Sequence, residues 1–271
     1  MLKRLTVAAI VLVTGLIGLP VQAEVAARYV AMGSSFAAGP GIPPLRPGTP
    51  AACGRSVNNY ASLVAEERGL ALTDVTCSGA TTANILTAGQ AGQPPQIEAV
   101  TSDTRLVTVT IGGNDVNYVG SLFAYACQNT GGTNCGQVDQ AAIRTALTTV
   151  HEKIGAVLAA VHQRAPRARV LVVDYLTIVP RTAAACDGVP LTPAQLTFER
   201  EVAEKLAAAT RRAARAERAT LIPAAAKSAT HDSCAATPWM ERYVTASGRV
   251  PYHPNEAGMA AVAKLIGGVS S

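Results

Sequence analysis

The chain has 271 residues, of which 49% are hydrophobic and 15% charged, with a mean hydropathy of +0.23. That apolar fraction excludes intrinsic disorder, and the length suffices for a domain with a substantial core. The formal charge of +5 falls to +3 once Lys3 and Arg4 are set aside with an N-terminal leader. This ordinary surface balance gives no electrostatic case for a nucleic-acid partner.

Residues 1–23 read as an export signal. Lys3 and Arg4 supply the positive start, and Leu5 to Leu19 form an apolar run broken by Gly15 and Gly18. Pro20 and Val21-Gln22-Ala23 then place small residues where a signal peptidase cuts. An uncleaved membrane anchor is the alternative; the run is short for a span and its glycines weaken a helix. No cysteine follows the run, so nothing points to a lipoprotein. Residues 24–271 are expected to form one exported domain, and nothing in them is long and apolar enough to span a bilayer.

In chain order, Ala27 to Met32 reads as a buried strand that ends in Gly33-Ser34-Ser35. Pro40 to Pro50 contains five prolines and two glycines and reads as a surface loop. Asn58 to Arg68 predicts a helix stopped by Gly69, followed by a strand at Leu70 to Thr76. Leu106 to Ile111 predicts a third strand with β-branched enrichment. Gln137 to Arg164 reads as a long helix ended by Pro166, and Arg169 to Tyr175 as a strand covered on both faces. Thr192-Pro193 opens a second long helix, which runs to Arg218, as an N-cap followed by proline at N1. A short strand at Thr220 to Ile222 and a last helix at Asn255 to Ile266 complete the pattern. Strands alternating with helices long enough for crossovers predict an α/β fold with a parallel sheet between helix layers.

Ligands of such sheets bind outside the carboxyl ends of the strands. Gly33-Ser34-Ser35, Cys77-Ser78-Gly79 and Gly112-Gly113-Asn114-Asp115 fall at three such ends, and Pro251-Tyr252-His253-Pro254-Asn255 precedes the last helix. Together they offer a serine nucleophile, backbone or amide donors and a histidine base, the parts needed for acyl transfer. Taken singly, Ser35 is a turn residue, His253 and Asn114 are helix-capping groups, and Asp115 fixes local backbone. His231, beside Asp232, is a rival base whose simpler role is structural. Asp174 lies too near a strand interior for a role, and Trp239 reads as core packing.

Six cysteines, Cys53, Cys77, Cys127, Cys135, Cys186 and Cys234, all lie in the exported part. An even count in an oxidising compartment argues for disulfides, with many pairings open. No Cys-x-x-Cys or His-x-His cluster accompanies them, so no metal site is expected.

The four blocks, in this order and within this cysteine frame, resemble the SGNH (GDSL-type) hydrolases, in particular the secreted lipases and esterases with three disulfides. The resemblance spans essentially the whole chain after the leader. It implies a flavodoxin-like three-layer α/β/α sandwich and a secreted, monomeric, cofactor-free enzyme. Such an enzyme hydrolyses small-molecule or lipid esters, with transient contact with a lipid surface. It implies Ser35 as nucleophile and His253 as general base. The oxyanion hole would be the Ser35 and Gly79 backbone N–H groups and the Asn114 amide. The implied cysteine pairs are Cys53–Cys77, Cys127–Cys135 and Cys186–Cys234. The loops Pro40–Pro50 and Phe123–Gly136 would shape the acyl pocket.

Two positions depart from the family pattern. The signature aspartate before the serine is Ser34, which leaves Ser34 and Ser35 as rival nucleophiles, with register after Gly33 favouring Ser35. The triad aspartate three residues before the histidine is Val250, so a Ser-His dyad is expected, with Val250 contributing only its carbonyl oxygen. An ordinary imidazole would then bring activity up through roughly pH 6–7. Two other functions share these residues: an O-acetyl esterase or acyltransferase on cell-envelope glycans or lipids, and a non-catalytic envelope-binding module on a degenerate hydrolase scaffold.

Overall fold

The computed structural model describes residues 26–246 and 248–269; the leader expected at 1–23 lies outside the described residues. Strand β1 (Arg28–Gly33) is followed by a single helical turn, α1 (Ser35–Ala38). Helix α2 (Tyr60–Arg68), strand β2 (Ala71–Asp74) and helix α3 (Thr82–Leu86) come next, then strand β3 (Thr104–Thr110). The chain continues through α4 (Tyr118–Asn129), α5 (Gln140–Arg164), β4 (Arg169–Val173) and α6 (Pro193–Ala216). It closes with β5 (Thr220–Ile222), the short α7 (Ala224–Lys227) and α8 (Glu256–Val269).

The five strands are all parallel, in the order β2-β1-β3-β4-β5. That is the flavodoxin-like order, whose topological switch point falls between β1 and β3. Tyr29 to Met32 and Leu106 to Val109 are buried without alternation, as strands covered on both faces must be. Helices α2 and α8 pack together, as do α5 and α6, forming the two layers over the sheet. No helix among the described residues is long and apolar enough to cross a membrane.

Local signals in the sequence explain most boundaries. Asn59 caps α2 by accepting from the Ser62 amide, and Gly69 ends it in the left-handed conformation at φ 61°. Thr192 caps α6 in a reciprocal capping box with Gln195, with Pro193 in the first turn. One expectation needs correction. The segment Phe123–Gly136 is not a loop throughout: up to Asn129 it is the second half of α4. Tyr118, Val119, Leu122, Ala124, Tyr125 and Ala126 are buried on several sides of that helix, which erases the amphipathic period that would have marked it.

The cysteines form three disulfides, Cys53–Cys77, Cys127–Cys135 and Cys186–Cys234. The first ties the loop at 51–54 to the turn after β2. The second fastens the end of α4 to the segment before α5.

Candidate active site

A cleft of about 510 Å³ opens at the carboxyl ends of β1 and β3, the switch point of the sheet. Ser35, Gly79, Asn114, Val250 and His253 all line it, joined by Leu45, Val119 and Phe123. Four sequence blocks far apart in the chain therefore meet in one concavity.

Ser35 is the first residue of α1, directly after β1. The Ser34 carbonyl accepts from the Ala37 and Ala38 amides, and the Ser35 carbonyl accepts from Gly39 N–H. The first amides of a helix have no acceptor within it, so the Ser35 N–H stands at the open end of this turn. Gln96 grips Gly33, the last residue of β1, from both sides: its Oε1 accepts from Gly33 N–H at 2.7 Å and its Nε2 donates to the Gly33 carbonyl at 3.1 Å.

Ser34 and Ser35 are separated by geometry. Ser34 is buried with its hydroxyl 3.2 Å from the Tyr175 hydroxyl, away from the cleft that Ser35 lines. Tyr175 also accepts from the Gly113 N–H at 2.9 Å, so one phenol joins the serine turn to the turn after β3. Glycine is needed at 113 because a Cβ there would stand 2.6 Å from the Tyr175 ring.

Gly79 occupies the third position of the turn closed by the Ala80 N–H to Cys77 carbonyl bond, with φ 80°. That backbone conformation suits glycine and leaves the Gly79 amide out of the turn's own hydrogen bond. The Cys53–Cys77 bridge and the Ser78 hydroxyl, which donates to the Cys53 carbonyl, pin the turn in place. Asn114 follows the Gly112-Gly113 pair and donates one amide hydrogen to the Ala80 carbonyl at 2.8 Å. A side-chain amide carries two donors, so a second hydrogen remains to serve the cleft. Asp115 fixes backbone, as read from the sequence: it accepts from the amide and hydroxyl of Thr82 at the start of α3.

His253 is buried, with Phe36 5.5 Å and Phe123 6.4 Å from its ring. Its Nδ1 lies 2.8 Å from the carbonyl oxygen of Pro251. A carbonyl can only accept, so Nδ1 carries the proton and Nε2 holds the free lone pair. This corrects the expected role of Val250. Tyr252 adopts φ 57°, and the tight bend brings the carbonyl two residues before the histidine, not three, against the ring. Val250 contributes its side chain to the cleft wall instead. Burial lowers the His253 pKa from 6.5 to about 4, opposed by the bond to Pro251. The acid limb therefore belongs well below the pH 6–7 expected of an ordinary imidazole. Asn255 starts α8 by accepting from Gly258 N–H at 3.0 Å and anchors to the Pro238 carbonyl, which holds the whole block at the cleft.

The rival candidates lie elsewhere. His231 stacks flat on Trp239 at 4.1 Å and bonds the Thr237 carbonyl through Nδ1, and it does not line the cleft. Asp174 accepts from the Ala225 amide at the start of α7, and burial raises its pKa to about 6. Tyr175 and Gln96 were not picked out from the sequence. A tyrosine at the carboxyl end of a parallel strand was the available signal for the first; nothing local marks the second.

The chain has clear relatives in sequence and fold. The model of the GDSL-like Lipase/Acylhydrolase family matches residues 31–261. Lipase 2 of Streptomyces coelicolor is 36% identical over 252 residues, covering 88% of this chain and 84% of the relative. The crystal structure of the extracellular lipase of Streptomyces rimosus superposes with a TM-score of 0.72 at 26% identity, covering 90% of this chain and all of that one. A phospholipase A1 from Streptomyces albidoflavus shares the fold, with a TM-score of 0.70 at 23% identity over 90% of this chain and 99% of its own. The chain belongs to the GDSL-like lipase/acylhydrolase family. It is a carboxylic ester hydrolase.

Proposed function

We propose that the protein is an exported esterase or lipase that cleaves acyl esters through a covalent acyl-Ser35 intermediate. The observation that carries this reading is the single cleft into which Ser35, Gly79, Asn114 and His253 converge, with the His253 tautomer set by the Pro251 carbonyl.

In the first step the Ser35 hydroxyl oxygen attacks the ester carbonyl carbon while His253 Nε2 takes its proton. The charge that builds on the carbonyl oxygen is met by the Ser35 and Gly79 amides and the free hydrogen of Asn114. The tetrahedral intermediate collapses as the imidazolium returns the proton to the departing alcohol oxygen, leaving the acyl group on Ser35. Water then attacks the acyl carbon by the same route, with His253 again as base, and releases the carboxylic acid. The Pro251 carbonyl stabilises the transient imidazolium less than a carboxylate would, so the oxyanion donors carry more of the barrier reduction.

The apolar wall of the cleft (Leu45, Val119, Phe123 and Val250) suits a hydrocarbon acyl chain better than the polar surroundings an acetylated sugar would require. The lipases among its relatives point the same way. We take the mature enzyme to comprise residues 24–271 as one domain acting outside the cell as a monomer, with transient contact at a lipid surface. The three disulfides support the exported compartment.

The test is covalent labelling of the mature protein by a fluorophosphonate, with the labelled peptide mapped, followed by hydrolysis of p-nitrophenyl esters of increasing chain length. Label on Ser35 and faster turnover of medium or long chains than of acetate support the reading. A preference confined to acetate would transfer the weight to an O-acetyl esterase.

A further inference from the structure

Among the buried acids that the reaction described above does not use, Asp174 and Asp232 accept from backbone amides, and one other stands out. Glu199, on α6, is fully buried, and neither carboxyl oxygen makes a hydrogen bond of ordinary geometry among the described residues; the Ser121 hydroxyl, which donates to the Tyr118 carbonyl, is the polar group that comes nearest to serving it. Two other buried polar atoms share that condition and sense its charge: the hydroxyls of Tyr118, on α4, and Tyr252. An acid and two phenols this poorly satisfied in one region of a core are costly unless they serve one another, directly or through a bound water.

The position of this cluster gives it meaning. Tyr252 is the residue directly before His253. It holds φ 57°, a left-handed conformation that is strained for a tyrosine and persists only where the surroundings enforce it. Its ring is clamped by Phe123 and Tyr243, each 5.9 Å away, and its buried hydroxyl has no hydrogen-bond partner among the described residues but interacts electrostatically with Glu199. Tyr118 stands edge-on to Tyr175 at 6.2 Å, and Tyr175 holds both Ser34 and Gly113. The acid is thus coupled electrostatically both to the residue before the base and to a tyrosine that packs on the support of the nucleophile and oxyanion turns.

We propose that Glu199 is a positioning residue which joins Tyr118 to Tyr252 and so holds the His253 bend in register with the Ser35 turn. This rests on the Ser35–His253 reading of the cleft. The groups facing Glu199 are Tyr118 and the Ser121 hydroxyl from α4 and Tyr252 from the bend before α8. Burial raises the Glu199 pKa to about 8, against a smaller lowering by Ser121. The acid is therefore neutral at pH 7. It acquires its charge over the range in which an esterase working through His253 alone would hold a plateau.

The experiment compares the wild-type mature protein with Glu199→Gln and Glu199→Leu in kcat, KM and fluorophosphonate labelling rate from pH 5 to 10. The infrared carbonyl band of a protonated carboxylic acid is followed in the wild type over the same range. Expected is an alkaline fall in wild-type kcat and labelling rate that tracks the loss of that band near pH 8. Glu199→Leu should lower kcat roughly tenfold with KM little changed, and Glu199→Gln should restore most of it and remove the alkaline fall. Superimposable pH profiles for wild type and Glu199→Gln, or an alkaline fall unaccompanied by loss of the band, would overturn the proposal. Should neither variant fold, the wild-type infrared and activity profiles still decide it. Absence of label on Ser35 at every pH would instead overturn the reading of the cleft, which the infrared titration does not depend on.

Discussion

The Nδ1 of His253 lies 2.8 Å from the carbonyl oxygen of Pro251, two residues earlier in the chain. The contact fixes the tautomer, and under the proposed mechanism this backbone carbonyl takes the orienting place that a carboxylate holds in a Ser-His-Asp triad. It brings no negative charge, and the imidazole is buried, so both circumstances disfavour its protonation in the resting enzyme. From this follows the first prediction. With the pKa lowered to about 4 by burial, the acid limb of hydrolysis should lie below about pH 5–6, where the rate reaches its plateau. The same shift bears on stability. A histidine whose folded pKa lies below its unfolded value stabilises the fold fully above pH 6.5, and that contribution is lost as the pH falls from 6.5 towards 4, by about 1.4 kcal/mol per pH unit. Rate profiles and urea titrations of wild type and His253→Gln test both; a wild-type limb centred between pH 6 and 7 would contradict the buried imidazole.

Asn114 uses one amide hydrogen to hold the Ala80 carbonyl and offers the other to the cleft. Asn114→Ala should lower kcat by about 10²–10³ with little change in KM, the signature of a donor that acts on the transition state. A change of less than fivefold would remove Asn114 from the oxyanion hole.

The Cys53–Cys77 bridge fastens the turn that presents Gly79, whereas Cys127–Cys135 sits at the far end of α4. Replacing both members of the first pair by serine should cost about 2–4 kcal/mol of stability and lower kcat as well, since an oxyanion donor is loosened. Replacing the second pair should cost stability with a smaller effect on kcat. Equal effects of the two changes on kcat, measured on folded protein, would separate the bridge from the site.

Much of this arrangement is legible in the sequence because its signals are local. The β-branched run of β3, the Thr192-Pro193 start of α6 and the glycine stop of α2 each announce an element without reference to the rest of the chain. The Ser35, Gly79, Asn114 and His253 blocks can be read because glycine and asparagine cluster where strands end. Helix α4 escapes, since burial around most of its circumference removes the polar face that periodicity detects. The Pro251 carbonyl escapes for a different reason: a backbone group has no letter of its own, and its direction depends on the left-handed bend at Tyr252. Tyr175, Gln96 and Glu199 act across separations of tens of residues, which only the folded sheet brings together.

The most direct test of the account is to label wild type, Ser34→Ala and Ser35→Ala with a fluorophosphonate and to map the modified peptide. Ser34 faces Tyr175 and Ser35 faces the cleft, so label should appear on Ser35 in wild type and Ser34→Ala and vanish in Ser35→Ala. Label that survives Ser35→Ala, or folded wild-type protein that takes none, would contradict the account.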